Sequence, residues 1–173
     1  MLFRSTDSDD DGYSDVIEVL YGGDPNDVSG LPTPLSNYSM TFEGSPNLAA
    51  FYTPMQSGGA WAVDSTTAHA GTKSYKSGAV ANSQSSSVRF RGLFKPGTLS
   101  FWAKADPGYC CNNMYLYVDG TSVLYVPSGS QWNNYGVPLT AGVHELEWRF
   151  QRDSYSSQPT DAAWIDDISF IAQ

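Results

Sequence analysis

From Tyr38 to the C-terminus, apolar residues recur with a period of two, and no stretch holds the three-to-four spacing of an amphipathic helix. In 98–104, Leu99, Phe101 and Ala103 alternate with Ser100, Trp102 and Lys104. In 114–119, Met114, Leu116 and Val118 alternate with Tyr115, Tyr117 and Asp119. In 144–152, His144, Leu146, Trp148 and Phe150 share one face, and Glu145, Glu147 and Arg149 the other. Shorter strands are predicted at 39–43, 61–63, 74–77, 86–91, 122–126, 135–139 and 164–171, separated by Gly, Pro, Asn and Ser. Asp119-Gly120 marks a tight hairpin. About ten short strands without a crossover helix predict an all-β, two-sheet antiparallel jelly-roll sandwich over 38–173.

The pattern breaks before Tyr38. Residues 31–37 hold Pro32 and Pro34 and read as a linker. Residues 1–30 hold a dense acidic run, Asp7-Ser8-Asp9-Asp10-Asp11-Gly12-Tyr13-Ser14-Asp15-Val16-Ile17-Glu18. Carboxylates fall at loop positions 1, 3, 5, 9 and 12, and Gly at position 6, which is the spacing of an EF-hand-type calcium loop. The expected ligands are Asp7, Asp9, Asp11, the Tyr13 carbonyl, Asp15 and Glu18, with Asp10 turned to solvent. The competing reading, an acidic solvated linker, leaves six carboxylates repelling one another. Too few residues precede the loop for an entering helix; residues 15–21 provide two helical turns, stopped by Gly22-Gly23.

The acidic run and the following Gly-Gly-Asp-Pro-Asn resemble a bacterial thrombospondin type 3 repeat over about residues 5–30. That resemblance implies a calcium-stiffened spacer, with Asp24 and Asp27 as weaker ligand candidates. A second resemblance covers Tyr38 to Gln173. It rests on Phe42-Glu43-Gly44, Gly97-Thr98-Leu99-Ser100-Phe101-Trp102, Tyr115-Leu116-Tyr117-Val118-Asp119-Gly120 and Ala163-Trp164-Ile165-Asp166-Asp167-Ile168. In this order the motifs are similar to bacterial jelly-roll binding domains such as carbohydrate-binding modules, and to the animal MAM domain. The paired cysteines of animal MAM domains are missing, which leaves the bacterial group closer. The resemblance implies a second, structural calcium held by Glu43 and Asp166 or Asp167; the alternative is that the two aspartates end the sheet as solvated groups.

Composition narrows the partners. The net charge of −9 argues against nucleic acid, and no apolar run approaches membrane-spanning length. Only 16% of residues are charged and 14% are aromatic, which suits an extracellular β domain. Residues 1–4 are too short for a signal peptide, so the chain reads as a monomeric piece of a longer secreted or cell-surface protein, joined to neighbouring domains. Cys110 and Cys111 are adjacent; free thiols, a vicinal disulfide and a link between chains all remain open.

Catalytic signatures are missing. There is no Gly-x-Ser-x-Gly elbow, and the histidines are His69 and His144 alone. His144 reads as a satisfied core or sheet-end residue. Glu145 and Glu147, about 7 Å apart on one strand face, read as an exposed charged face rather than as a glycosidase pair. The chain is therefore expected to bind rather than to catalyse. Exposed rings beside amides suit sugars, whose C–H faces stack on aromatics. The densest such set is Tyr109, Cys110, Cys111, Asn112, Asn113, Tyr115, Gln131, Trp132 and Tyr135, with Tyr155 on a later loop. The expectation is a noncatalytic carbohydrate-binding module with a polysaccharide or glycan ligand. The alternatives are an adhesive module for proteins or host glycans, and a structural or export-related terminal domain; the rings of the set would then be ordinary core and rim residues.

Overall fold

The computed structural model describes residues 6–55, 58–106, 112–154 and 161–173. Its elements run α1 (Asp15–Tyr21), β1 (Asn37–Met40), β2 (Phe51–Tyr52), β3 (Ala62–Asp64), β4 (Ser74–Lys76), β5 (Ser85–Phe94), β6 (Gly97–Asp106), β7 (Asn113–Val118), β8 (Thr121–Val126), β9 (Gly129–Leu139), β10 (Gly142–Gln151) and β11 (Ala162–Ala172). The strands form two antiparallel sheets that face each other as a jelly-roll sandwich. One has five strands, in the order β2-β5-β10-β7-β8. The other has six, in the order β3-β4-β11-β6-β9 with β1 also pairing β11. Among the described residues no helix is long and apolar enough to cross a membrane.

Strand alternation builds the core. Val88 and Phe90 of β5, Met114 and Leu116 of β7, and Leu146, Trp148 and Phe150 of β10 point inward from the smaller sheet. Leu99, Phe101 and Ala103 of β6 and Val137 and Leu139 of β9 meet them from the larger one. The Trp148 indole, fully buried, stands edge-on to Phe101 at 5.6 Å between ring centres, which joins the two sheets at mid-sandwich. The Asp119-Gly120 hairpin forms as expected, with positive φ at both residues (51° and 79°). β2 is a two-residue strand that alternation over so short a stretch could not reveal.

One expectation and one alternative need correction. Residues 33–37 are not a free linker. Thr33 N–H donates to the Tyr21 carbonyl, Leu35 N–H to that of Leu93, and Lys95 N–H to that of Leu35, while Asn37 opens β1. The physical reason is the open edge of β5 beyond its short pairing with β2. Leu35 satisfies that edge, and the Tyr21 hydroxyl of α1 donates to the Arg91 carbonyl at 3.0 Å. The acidic loop and its helix are thus seated on the sandwich rather than held off it. A groove of about 410 Å³ marks this junction, bordered by Leu20, Tyr21, Tyr38, Phe42 and Phe90. Second, Asp166-Asp167 does not end the last strand. It forms a β-bulge in the middle of β11, with Asp167 at φ 45°. The bulge lets Ile165 and Ile168, three residues apart, both face the core.

Truncating the central indole leaves a large void that the two sheets cannot close. Trp148→Ala is expected to cost about 3–5 kcal/mol in urea unfolding; a loss below about 1 kcal/mol would show that the sheets do not depend on this contact.

Candidate functional site

The acidic loop is wound by its own carboxylates. Asp7 Oδ2 accepts the Gly12 N–H, Asp9 Oδ1 that of Asp11, and Asp11 Oδ1 that of Tyr13. Gly12 lies at φ 97°, a conformation that favours glycine. One oxygen of each aspartate is spent on the turn and the other faces inward. Asp7, Asp9 and Asp11 offer ligand atoms within 4.8 Å of one another. Helix α1 adds Glu18, which is fully buried. Asp7 Oδ1, Asp9 Oδ2, Asp11 Oδ2 and both Glu18 Oε atoms are buried without a hydrogen-bond donor. Burial, and then the charges of Asp9 and Asp11, push the Glu18 carboxyl above its ordinary value. Orphaned, converging, mutually repelling oxygens are the donor set a hard divalent cation satisfies.

Asp15 departs from the expected ligand set. Both its oxygens accept from Ser8, through the backbone N–H and the hydroxyl, at 2.9 Å each. Asp10 is exposed, as expected. Asp24 and Asp27 close local turns by accepting from Asn26 and from Ser29.

The expected second cation set is dispersed among backbone donors. Glu43 accepts from Thr72 N–H, Thr72 Oγ1 and Lys73 N–H at 2.6–2.9 Å, and these bonds hold its carboxyl below the ordinary value. Asp166, fully buried, accepts from the His69 and Asp167 N–H groups, while Asp167 pairs with His69 Nδ1 at 2.6 Å. Together they pin the loop before β4. Among the described residues they form no convergent carboxylate cluster like that of Asp7, Asp9 and Asp11.

The expected aromatic site is split by the fold. Tyr109, Cys110, Cys111 and Tyr155 lie outside the described residues. Asn112 is buried and ties loops together, donating to Asp161 and accepting from Asp153 N–H. Tyr135 turns toward the core and stacks on Phe101. Asn113 and Tyr115 lie on the outer face of the five-stranded sheet, whereas Gln131 and Trp132 belong to β9 of the other sheet.

The outer face of the five-stranded sheet carries a built polar surface that the sequence concealed. Tyr115 packs beside Tyr117 and Tyr125, and Arg149 lies over the Tyr117 ring at 4.2 Å. Glu147 takes Arg89 Nε at 2.9 Å and Arg149 Nε at 2.7 Å. Glu145 takes Arg89, Arg91 and the Tyr52 hydroxyl. The expected exposed charged face is therefore wrong for Glu147, which is buried beneath its arginines. Burial alone would raise its carboxyl, but hydrogen bonds from Arg149 and Ser87 and the charges of Arg149 and Arg89 hold it below the ordinary value. A general acid needs the opposite shift. A hollow of about 210 Å³ opens at one end of this face between Asn113, Tyr115, Gln151, Arg152 and Asp153. His144 is not on this face: it lies on the inward side of β10 at the sheet end, beside Phe94 and paired with Asp119 at 2.7 Å and with Thr140. Register decides this face: strand pairing sets Glu147 between Arg89 and Tyr117, residues far apart in the chain.

No protein-family model matches the chain, and no curated protein matches it. Solved structures share its fold. The K2 cleaved adhesin domain of Lys-gingipain superposes with a TM-score of 0.59 at 18% identity, over 78% of this chain and 98% of that one. The CBM22-1 xylan-binding domain of Paenibacillus barcinonensis Xyn10C gives a TM-score of 0.53 at 13% identity, over 78% and 92%. The secreted serine protease VesC of Vibrio cholerae gives 0.57 at 16% identity over 71% of this chain, which spans a quarter of that protease. At these identities the likeness is one of fold.

Glu147 and Glu43 have lowered carboxyl values, so the stability they contribute is present above the ordinary Glu value, about 4.3, and is lost as pH falls through the lowered ones. Glu147→Gln is expected to cost about 2–3 kcal/mol at pH 7 and to flatten the acid limb of a stability–pH curve measured by urea unfolding. An unchanged acid limb would assign that limb to other carboxylates.

Proposed function

We propose that this chain is a noncatalytic glycan-binding module of a secreted or surface protein, binding a polysaccharide on the outer face of its five-stranded sheet. The observation that carries the reading is the cross-strand set of Tyr115, Tyr117 and Tyr125 beside the Arg89–Glu147–Arg149 network. Rings interleaved with fixed charges offer flat surfaces to sugar C–H faces and directed partners to sugar hydroxyls. A protein-adhesive surface would present a larger continuous apolar patch; here Tyr125 and Val123 are the exposed large apolar groups of β7 and β8. The shared fold with a xylan-binding domain supports the same reading and makes xylan the first polymer to try.

The test is affinity electrophoresis of the intact chain in xylan and other neutral polysaccharides. Retention is expected, with Tyr115→Ala and Tyr117→Ala each weakening it about tenfold. Retention unaffected by both variants would move the site, and no retention on any polymer would favour the adhesive reading.

We further propose that Asp7, Asp9, Asp11 and Glu18 hold a calcium ion, with the Tyr13 carbonyl as a further ligand. The five orphaned oxygens fit calcium, which neutralises the repulsion among them. Because α1 carries both Glu18 and Tyr21, the bound ion would hold the helix that covers the β5 edge. Chelation with EDTA is expected to lower the melting temperature by about 5 °C or more, with recovery on adding calcium but not magnesium. An identical melt with and without EDTA would remove the metal from this loop.

A further inference from the structure

The opposite face of the sandwich carries a second arrangement. Strand pairing sets Lys76 of β4 against Trp164 of β11, and Trp164 against Lys104 of β6. Trp132 of β9 lies beyond Lys104. The ammonium of Lys104 stands 4.7 Å from the Trp164 ring centre and 5.6 Å from that of Trp132; Lys76 stands 5.3 Å from Trp164 on the other side. Cation and indole thus alternate across four strands.

Lys104 is the unusual member. It is only 9% exposed, and among the described residues it has no ion pair and no hydrogen-bond acceptor. Two indole faces flank it. Its stem is buried, but the ammonium, set between two indoles, still meets water, so its charge is within reach of a ligand. Among the described side chains, the carboxylates bordering this face are engaged elsewhere. Asp64 accepts the Trp164 Nε1–H and the Thr66 hydroxyl, Asp167 holds His69, and Asp166 takes two backbone N–H groups. Trp132 is only partly covered, and His69, stacked at 3.7 Å on Trp102, braces the neighbouring surface.

We propose that Lys104 and Trp132 form a second binding site, for a negatively charged sugar. The ring of the sugar lies on the Trp132 indole, and its carboxylate or sulfate group supplies the counter-ion that Lys104 lacks. The site lies on the sheet opposite the tyrosine face and stands or falls separately from it. With a net charge of −9 the chain as a whole repels polyanions, so retention on one reports a local site and not bulk attraction.

The experiment measures binding of the intact chain to polygalacturonate, to a heparin-derived hexasaccharide and to neutral xylan. Wild type is expected to bind at least one of the two anionic probes, and which one separates a carboxylate from a sulfate ligand. Lys104→Met, which keeps the apolar stem, and Trp132→Ala should each weaken that binding at least about tenfold, and Lys104→Arg should hold it within about threefold. Tyr115→Ala should leave it unchanged while weakening xylan binding. Binding of neither anionic probe by wild type, equal binding by Lys104→Met, or capture of poly-glutamate as tight as that of the sugars would each overturn the assignment. Should Lys104→Met melt early, the wild-type Lys104 side-chain resonance on titration with the better probe decides: a saturable shift is expected, and none would refute the site.

Discussion

The contact on which the rest of the molecule depends is the meeting of Phe101 and Trp148 between the two sheets. Each anchors a strand whose alternate residues must then point outward. Burying Leu99, Phe101 and Ala103 puts Trp102 and Lys104 on one outer surface. Burying Leu146, Trp148 and Phe150 puts Glu145, Glu147 and Arg149 on the other. The two exterior faces are consequences of the core, and neither can be altered in register without turning the core out to solvent.

The edge of β5 gives the N-terminal segment its place. A strand edge with unpaired carbonyls invites pairing with another chain, and here Tyr21, Leu35 and the short β2 occupy it in turn. An acidic loop that could have been an independent spacer is thereby coupled to the sandwich. Glu18 closes the loop, and three residues later on the same helix Tyr21 closes the edge. Whatever neutralises the loop acts on the sandwich through one turn of helix.

The two faces differ in how they handle charge. On the five-stranded sheet, arginines and glutamates neutralise one another and fix the tyrosines between them. On the six-stranded sheet, lysines lie against indoles, and among the described residues Lys104 has no ion pair. The first arrangement is balanced within itself. The second sets cation against aromatic ring instead of cation against carboxylate.

Local features were legible from the residues alone. The spacing of Asp7, Asp9, Asp11 and Glu18 implied converging carboxylates, because a loop closed by a positive-φ glycine fixes where alternate side chains point. The ends of α1, the Asp119-Gly120 hairpin and the inward faces of β6, β7 and β10 followed from period and turn chemistry in the same way. Only the tertiary structure decided what depends on register and edges. It placed Glu147 under arginines from its own and a neighbouring strand, turned Tyr135 and Asn112 inward, and divided Tyr115 from Trp132 onto opposite sheets. It also turned Asp166-Asp167 into a bulge and residues 33–37 into an edge clasp. The physical reason is that alternation tells which side of a strand a residue occupies, whereas the neighbour across the sheet is chosen by pairing between segments distant in the chain.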